Sequence, residues 1–259
     1  KDALYQQIIN ELSSELRKET ESKLSVLNRL HDGKGNCQNL YSANTSNRRD
    51  CMFIGNSSSS QKVLESALLA AQHPNANVFI FGESGTGKDV LANIIHNHSI
   101  RKASPFVPIN VAALSAGVLE NELFGHVKGA YTGAVTNSKG LLQKSHKGTL
   151  FLDEISEMPS DLQSKLLRVV ETHRFMPVGS NEEILFDSRI ICTSNRDIYQ
   201  AIKSNAFRLD LFHRLNTIEI YIPPLRDRTE DIEELLLFYA NNYTEQNNIK
   251  LPQIGRAHV

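Results

Sequence analysis

The stretch Val78-Phe-Ile-Phe-Gly-Glu-Ser-Gly-Thr-Gly-Lys88 decides the fold of this chain. Its apolar start, Val78–Phe81, is typical of a short buried parallel strand. A glycine-rich turn follows, and a helical pattern comes next, with one apolar face formed by Val90, Leu91, Ile94 and Ile95. Such a turn lets backbone N–H groups point inward at phosphate oxygens, and the helix N-terminus adds partial positive charge. We therefore predict a P-loop over Gly82–Lys88, with Lys88 reaching the β- and γ-phosphates.

Further apolar runs predict more strands of the same sheet. They lie at Phe106–Ile109, Thr149–Leu152, Ile190–Thr193 and Ile218–Ile222. Helical patterns separate these runs, most clearly over Pro159–His173, which has proline at its start. Strands that alternate with helices imply an α/β fold with a parallel sheet covered on both faces.

Polar residues end two of the predicted strands. Asp153 and Glu154 follow Leu150-Phe-Leu, and Asn195 follows Ile190–Thr193. Asp153 is predicted to hold magnesium, directly or through water, and Glu154 to polarise the attacking water. Asn195 is placed to touch the γ-phosphate or that water, although asparagine is also a common strand terminator. The acids have an alternative interpretation as a helix cap, which the preceding P-loop disfavours.

Two arginines, Arg208 and Arg214, lie six residues apart with an apolar face between them. They form either a solvated helix face or arginine fingers that are supplied to the nucleotide of a neighbouring subunit.

Composition excludes several classes of protein. The 259 residues carry 28 basic and 29 acidic side chains, so the net charge of −1 does not hold the chain to DNA or a membrane by bulk charge. Three widely spaced cysteines indicate neither a zinc site nor a disulfide framework. No apolar run approaches the roughly 18 residues of a membrane span, and no signal peptide is visible. We expect a cytoplasmic protein without a membrane partner.

Residues 53–250 resemble the AAA+ domain of the sigma-54-dependent transcriptional activators, the bacterial enhancer-binding proteins. The decisive segment is Leu123-Phe-Gly-His-Val-Lys-Gly-Ala-Tyr-Thr-Gly-Ala134. It is similar to the GAFTGA loop of that family, with Tyr131 where the family usually has phenylalanine. The residue after the P-loop lysine, Asp89, replaces the usual hydroxyl ligand of magnesium, but this family carries an acidic residue there. Further matches are Ile109–Leu114, Gly148–Ile155, Leu166–Val170 and Tyr221–Arg228.

The resemblance implies a three-layer AAA+ fold and a role for each matching residue. It makes Lys88 the phosphate binder, Asp153 the magnesium ligand and Glu154 the water activator. It adds Asn110 as the switch partner of Glu154, Asn195 as the sensor, and Arg208 and Arg214 as the fingers. The implied nucleotide-binding set is Ile54, Gly55, Gly82, Glu83, Ser84, Gly85, Thr86, Gly87, Lys88, Asp89, Gly148 and Asp153. The implied contacts to sigma-54 are Gly129, Ala130, Tyr131, Thr132, Gly133 and Ala134.

The activity that the resemblance implies is ATP hydrolysis with Mg²⁺ by a hexameric ring. The loops of the ring would push on the sigma-54 RNA polymerase holoenzyme and open promoter DNA. Enhancer DNA would be bound through a C-terminal domain that is absent from this chain. The alternative is a nucleotide-binding regulator or repressor that no longer remodels sigma-54, which a degenerate loop would have favoured. An unfoldase or chelatase-type ATPase is disfavoured because it does not need the Gly129–Ala134 insertion.

Five segments are expected along the chain. Apolar residues spaced by four, starting at Leu4, predict a helix at 1–31. It is either a short coiled coil or the end of a sensor domain. The other predicted segments are a flexible linker at 32–50, the AAA+ sigma-54 interaction ATPase domain at 51–222, the truncated start of a helical lid at 223–253, and a non-native tail at 254–259. The tail is assigned because its codons resemble a sequencing adapter.

Overall fold

The computed structural model describes residues 52–131, 134–195 and 197–247 of the chain. All of them belong to the second of two compact units, Arg49–Val259. The predicted helix at 1–31, the linker at 32–50 and the tail at 254–259 lie outside the described residues.

Nine strands are formed within the described part of the chain. In chain order they are β1 Val78–Phe81, β2 Phe106–Asn110, β3 Gly125–His126, β4 Ser138–Lys139, β5 Thr149–Asp153, β6 Arg174–Phe175, β7 Ile184–Leu185, β8 Arg189–Ser194 and β9 Ile218–Tyr221. Five of them build a parallel sheet in the order β2-β5-β8-β1-β9. The remaining four form two antiparallel hairpins, β3-β4 and β6-β7.

Helices connect the strands. They are α1 Ser58–Ala71, α2 Lys88–Asn97, α3 Ala116–Phe124, α4 Leu141–Lys144, α5 Ser160–Thr172, α6 Ile198–Lys203, α7 Leu209–Leu215 and α8 Ile232–Asn247. Short 3-10 turns lie at Ile155–Glu157, Leu225–Asp227 and Thr229–Asp231. Among the described residues, no helix combines the length and the apolar character that crossing a bilayer requires.

The sheet is covered on both faces because its strands alternate the side to which they send apolar residues. On one face, Val78 and Ile80 of β1 pack with side chains of α1 and α2. On the other face, Phe79 packs with α3, α5 and α7. The neighbouring strand β5 alternates in the same way, with Phe151 on the α1–α2 side and Leu150 and Leu152 opposite. The predicted α/β fold with a central parallel sheet is confirmed.

The five predicted strands of the sheet agree with the observed ones to within one residue at either end. The helix predicted over Pro159–His173 is α5, which is shorter by one residue at each end. Within the segment predicted as the start of the lid, Thr229–Asp231 forms a 3-10 turn and α8 starts at Ile232. The parallel arrangement brings the carboxyl ends of all five strands to one edge of the sheet, where ligands of open α/β sheets bind.

Candidate functional site

The turn between β1 and α2 lies at this carboxyl edge. Gly85 and Gly87 have φ angles of +77° and +95°, a left-handed conformation that favours glycine. At Gly82, a Cβ would lie 2.9 Å from the carbonyl oxygen of Ile222, just beyond β9. These three glycines are therefore required by the backbone path and by the close approach of the next strand.

Lys88 is the first residue of α2, and only 7% of its surface is exposed. Its Nζ donates hydrogen bonds to the carbonyl oxygens of Gly82 at 2.8 Å and Glu83 at 2.9 Å. Burial lowers the pKa of the Lys88 ammonium, and the carboxylates of Asp153, Glu154 and Asp89 oppose that shift. The Lys88 ammonium is thus held inside the P-loop, where it interacts electrostatically with the carboxylates of Asp153, Glu154 and Asp89.

Three neighbouring strands hold Asp153. It ends β5, and its Oδ2 accepts a hydrogen bond from Nδ2 of Asn110, the last residue of β2, at 2.9 Å. Its Oδ1 accepts a hydrogen bond from the hydroxyl of Thr193 in β8. That hydroxyl in turn accepts from the backbone N–H of Glu154 at 3.0 Å. Thr193 orients both acids, and the sequence interpretation had treated it only as a strand residue.

Glu154 has a φ angle of +57°, an uncommon left-handed conformation for a residue with a side chain. Its Oε1 accepts a hydrogen bond from Nδ2 of Asn195 at 2.7 Å. The predicted partner of Glu154 was Asn110, but Asn110 is bonded to Asp153 instead. The reason is geometric: Asn110 and Asp153 are register partners in adjacent strands.

The oxygen donors around Asp153 suit a magnesium ion bound together with phosphates. Within the described ranges, no group of three His, Cys, Asp or Glu side chains could hold a metal ion. Mg²⁺ does not need such a cage, because it keeps several waters and binds through one or two carboxylates plus substrate phosphates. Asp153, with the polar groups of Asn110 and Thr193 beside it, fits that kind of site. Asp89 is exposed one residue after Lys88.

Two arginines that the sequence interpretation missed contact the P-loop from the segment after β9. The guanidinium of Arg226 donates to both carboxylate oxygens of Glu83, at 2.6 and 2.7 Å, and this bond lowers the pKa of Glu83. Nη2 of Arg228 donates to the carbonyl oxygen of Thr86 at 3.0 Å. The sequence contained a signal for these contacts. Both arginines follow the last predicted strand, and that strand ends at the same edge of the sheet as the P-loop.

A buried aspartate ties this segment to the start of α1. Asp231 is fully buried and accepts hydrogen bonds from the backbone N–H of Ser57 at 2.7 Å, its hydroxyl at 2.8 Å and the hydroxyl of Ser60 at 2.6 Å. Burial alone would raise the pKa of Asp231, but these bonds outweigh it and the pKa is lowered. Gly55 lies against the carboxylate, where a Cβ would be 2.7 Å from it. Gly55, a member of the predicted nucleotide-binding set, therefore lies beside the segment whose Arg228 contacts the P-loop.

Three predicted site residues, Gly148, Arg208 and Arg214, contact groups other than the P-loop. Gly148 precedes the amino end of β5, and the space there explains it: a Cβ would lie 2.0 Å from the carbonyl oxygen of Pro105. The assignment of Gly148 to the nucleotide set is therefore corrected. Arg208 pairs with Asp210 at 2.6 Å and Arg214 with Glu171 at 3.3 Å, and both arginine side chains are about half exposed or more.

The predicted contact loop Gly129–Ala134 lies between β3 and β4 in the chain. Its residues Thr132 and Gly133 lie outside the described residues. Tyr131 is 44% exposed, and its ring contacts that of His126 with centroids 5.1 Å apart. The N–H of Gly129 donates to the carbonyl oxygen of Ala134 at 2.9 Å. Ala134 is itself buried, and its assignment as a contact residue stays a prediction.

A cavity of about 290 Å³ adjoins the site, lined in part by Glu83 of the P-loop, Asn195 and Tyr199. A second cavity of similar volume lies elsewhere, between α5 and the β6-β7 hairpin, and includes Phe124, Val169 and Phe175. The cavity beside Glu83 and Asn195 is therefore the one that is lined by charged and polar groups of the P-loop edge.

Comparison with known proteins agrees with this geometry. The chain is 49% identical to the regulatory protein AtoC of Escherichia coli over 172 residues, which is 66% of this chain and 37% of AtoC. It is 45% identical to the regulatory protein LuxO of Vibrio vulnificus over 204 residues, which is 78% of this chain and 45% of LuxO. The crystal structure of NtrX from Brucella abortus in complex with ATP is similar with a TM-score of 0.73 and 34% identity, covering 79% of this chain and 44% of NtrX.

This chain spans less than half the length of each of these three proteins. The family described as Sigma-54 interaction domain matches residues 53–221, which is more than half of the chain. The match contains the P-loop, both acidic residues and the loop of the β3-β4 hairpin. The protein therefore belongs to the sigma-54 interaction domain family of transcriptional regulators.

Proposed function

We propose that this protein is an ATPase whose hydrolysis of ATP drives remodelling of the sigma-54 RNA polymerase holoenzyme. The observation that carries the proposal is the pairing of Glu154 with Asn195 beside the buried Lys88. A carboxylate held by an amide at the end of a strand, facing a phosphate-binding loop, is suited to polarise water. The ATP complex of NtrX supports ATP as the nucleotide.

Each side chain has a defined task in this reaction. Lys88 and the amides of the P-loop bind the phosphates. Asp153 would hold Mg²⁺ together with the phosphates, and the ion would neutralise charge on their oxygens. Glu154 accepts a proton from the attacking water, and Asn195 keeps the carboxylate oriented toward that water. The products are ADP and phosphate.

The exposed loop supports the sigma-54 part of the proposal. Tyr131 is a half-exposed aromatic ring on a glycine-flanked turn, and such a ring is a suitable contact for a partner protein. We assign Gly129–Ala134 as the contact. Membership of the sigma-54 interaction family favours this partner over those of a general ATPase. A bacterial transcription factor of this kind acts in the cytoplasm.

Assembly into a ring would bring the remaining residues into use. Arg208 and Arg214 are exposed and their ion pairs are at the surface, where such pairs are weak. They are therefore free to exchange those partners for the phosphates of an adjacent subunit. We propose a homo-oligomer, a hexamer by resemblance, with the ATPase domain at 51–222, the start of a lid at 223–253, and enhancer DNA bound by a domain outside this chain.

The test is the isosteric substitution Glu154→Gln in the full-length protein, with Glu65→Gln on the exposed face of α1 as the control. Glu154→Gln should bind ATP as the wild type does, because Lys88 and the loop amides are unchanged. Its rate of phosphate release should fall by about 10²–10⁴-fold, because the water loses its proton acceptor. Unchanged turnover in Glu154→Gln would refute the assignment.

A further inference from the structure

One peptide group of the P-loop is held from outside by a buried arginine. The carbonyl oxygen of Thr86 accepts a hydrogen bond from Nη2 of Arg228 at 3.0 Å, and this carbonyl belongs to the peptide that joins Thr86 to Gly87. A trans peptide is planar, so its C=O and N–H point in opposite directions. By fixing the carbonyl on one side, Arg228 also fixes the direction of the Gly87 N–H on the other.

The N–H of Gly87 is located where an anion would use it. Gly87 is the N-cap of α2, directly before Lys88. Amides at the start of a helix have no partner within the helix, and they form ready anion-binding sites. A hydrogen bond from a cation to the carbonyl also polarises the peptide, which makes its N–H a stronger donor.

Arg228 is held firmly enough to act in this way. Its side chain is 5% exposed, with Nη1 3.3 Å from the hydroxyl of Ser60 and 3.9 Å from Asp231. The guanidinium carbon lies 5.4 Å from the centre of the Phe53 ring. Burial lowers the pKa of this guanidinium, and Asp231 opposes the shift. The arrangement is costly, because Nε is buried without a hydrogen-bond partner among the described residues.

We propose that Arg228 is a positioning residue for the nucleotide: it turns the Gly87 N–H toward the bound phosphates by holding the Thr86 carbonyl. The proposal deepens the proposed function and rests on nucleotide binding at the P-loop. Arg226 does not share the role, because it binds the side chain of Glu83 and not a backbone carbonyl group, and it lies at the surface.

The chain supplies a matched control in Arg189. This arginine is 1% exposed and also holds backbone carbonyls, those of Ala76 at 2.9 Å and Ala70 at 2.7 Å. It starts β8, so it lies at the amino edge of the sheet, opposite the P-loop. Arg228→Met and Arg189→Met should both lower the unfolding midpoint, but only Arg228→Met should affect the nucleotide.

The experiment measures ADP binding by the 259-residue chain and its variants by calorimetry, at a temperature where each is folded. Arg228→Met should weaken ADP binding by about 10-fold or more, which is the scale of a hydrogen bond to a charged group. Arg228→Lys should be intermediate, because an ammonium is a cation but lacks the planar fork. Arg189→Met should bind as the wild type does.

A spectroscopic signal separates positioning from general loss of structure. With ¹⁵N-glycine labelling, the 14 glycine amides of the chain give a simple NMR spectrum. At saturating ADP, the Gly87 amide of the wild type should shift strongly, and this response should be lost in Arg228→Met. The response of Gly85, whose peptide Arg228 does not contact, should remain.

The outcomes are distinct. The positioning role would be overturned if folded Arg228→Met binds ADP within twofold of the wild-type affinity. It would also be overturned if Arg189→Met loses as much ADP affinity as Arg228→Met does. If Arg228→Met does not fold, Arg228→Gln decides by the same criteria, since its shorter side chain does not reach the Thr86 carbonyl. If the wild-type chain does not bind ADP, the proposed function itself is refuted. If the wild type binds ADP and Lys88→Ala does not, nucleotide binding at the P-loop stands, and the Arg228 variants test the positioning role alone.

Discussion

The P-loop and the Gly129–Ala134 loop are both rich in glycine, but the glycines serve different ends. In the P-loop they let the backbone turn tightly, and Lys88 and Arg228 hold its carbonyl groups in place. In the Gly129–Ala134 loop, a Cβ on Gly129 would meet no atom within 4 Å among the described residues, and Tyr131 is half exposed. The first loop thus presents its backbone to a ligand, and the second presents a side chain to a partner.

The largest effect should come from breaking the P-loop alone. Lys88→Ala removes the buried ammonium, and ATP affinity should fall by about 100-fold, which corresponds to losing a charged phosphate contact. Calorimetry on this variant, with Lys62→Ala on the surface of α1 as the control, would measure it. ATP binding at wild-type strength by Lys88→Ala would contradict the assignment of the loop.

The second loop should be separable from the first. In the full-length protein, Tyr131→Ala and Thr132→Ala should keep most ATP hydrolysis but lose binding to sigma-54 in the presence of a transition-state nucleotide analogue. Tyr131→Phe should bind sigma-54 because it keeps the ring and drops only the hydroxyl. A pull-down and an ATPase assay on the same preparations would decide. Sigma-54 binding and promoter opening by both variants would rule out the contact loop.

A glycine that belongs to neither loop gives a smaller effect of another kind. Gly148→Ala places a methyl group 2.0 Å from the Pro105 carbonyl oxygen, and we expect a loss of about 1–3 kcal/mol in the free energy of unfolding. ADP affinity of the folded variant should not change. Gly117→Ala, in the open first turn of α3, is the matched control and should be neutral or slightly stabilising. Weakened ADP binding by Gly148→Ala would return that glycine to the nucleotide site.

The smallest effect should be on the pH dependence of folding stability, and it should come from His96 in α2, the helix that follows the P-loop. His96 of α2 is buried, and its Nδ1 lies 3.0 Å from the hydroxyl of Thr149. Burial lowers the pKa of His96, so the unfolded chain takes up this proton at a higher pH than the folded one. The contribution to stability is therefore present above about pH 6.5 and declines as the pH falls below it. Denaturant unfolding between pH 8 and 5 should show a shallower loss in His96→Gln; equal slopes would exclude His96 as a cause.

Sequence reasoning located the features that depend on short stretches of chain. The strands follow from continuous apolar runs, and the P-loop follows from glycine spacing between a strand and a helix. Asp153, Glu154 and Asn195 could be placed because they come directly after strands, and parallel strands bring their carboxyl ends together.

The structural features that sequence reasoning missed depend on contacts between residues that are distant in the sequence. The hydrogen bonds of Asp231 to Ser57 and Ser60 join segments more than 170 residues apart. No local pattern marks such a network. Gly148 was misassigned because the reason for that glycine lies in the approach of Pro105.

The strand order of the sheet has a consequence for how the domain is made. On the sheet, β1 lies between β8 and β9, which leave the ribosome more than 100 residues after it. The two arginines that contact the P-loop, Arg226 and Arg228, are synthesised still later. Because long-range strand pairing is slow, we expect the nucleotide site to be among the last parts of this domain to form. A nascent chain that stops before Arg226 would carry a complete Gly82–Lys88 sequence without the hydrogen bonds from Arg226 and Arg228.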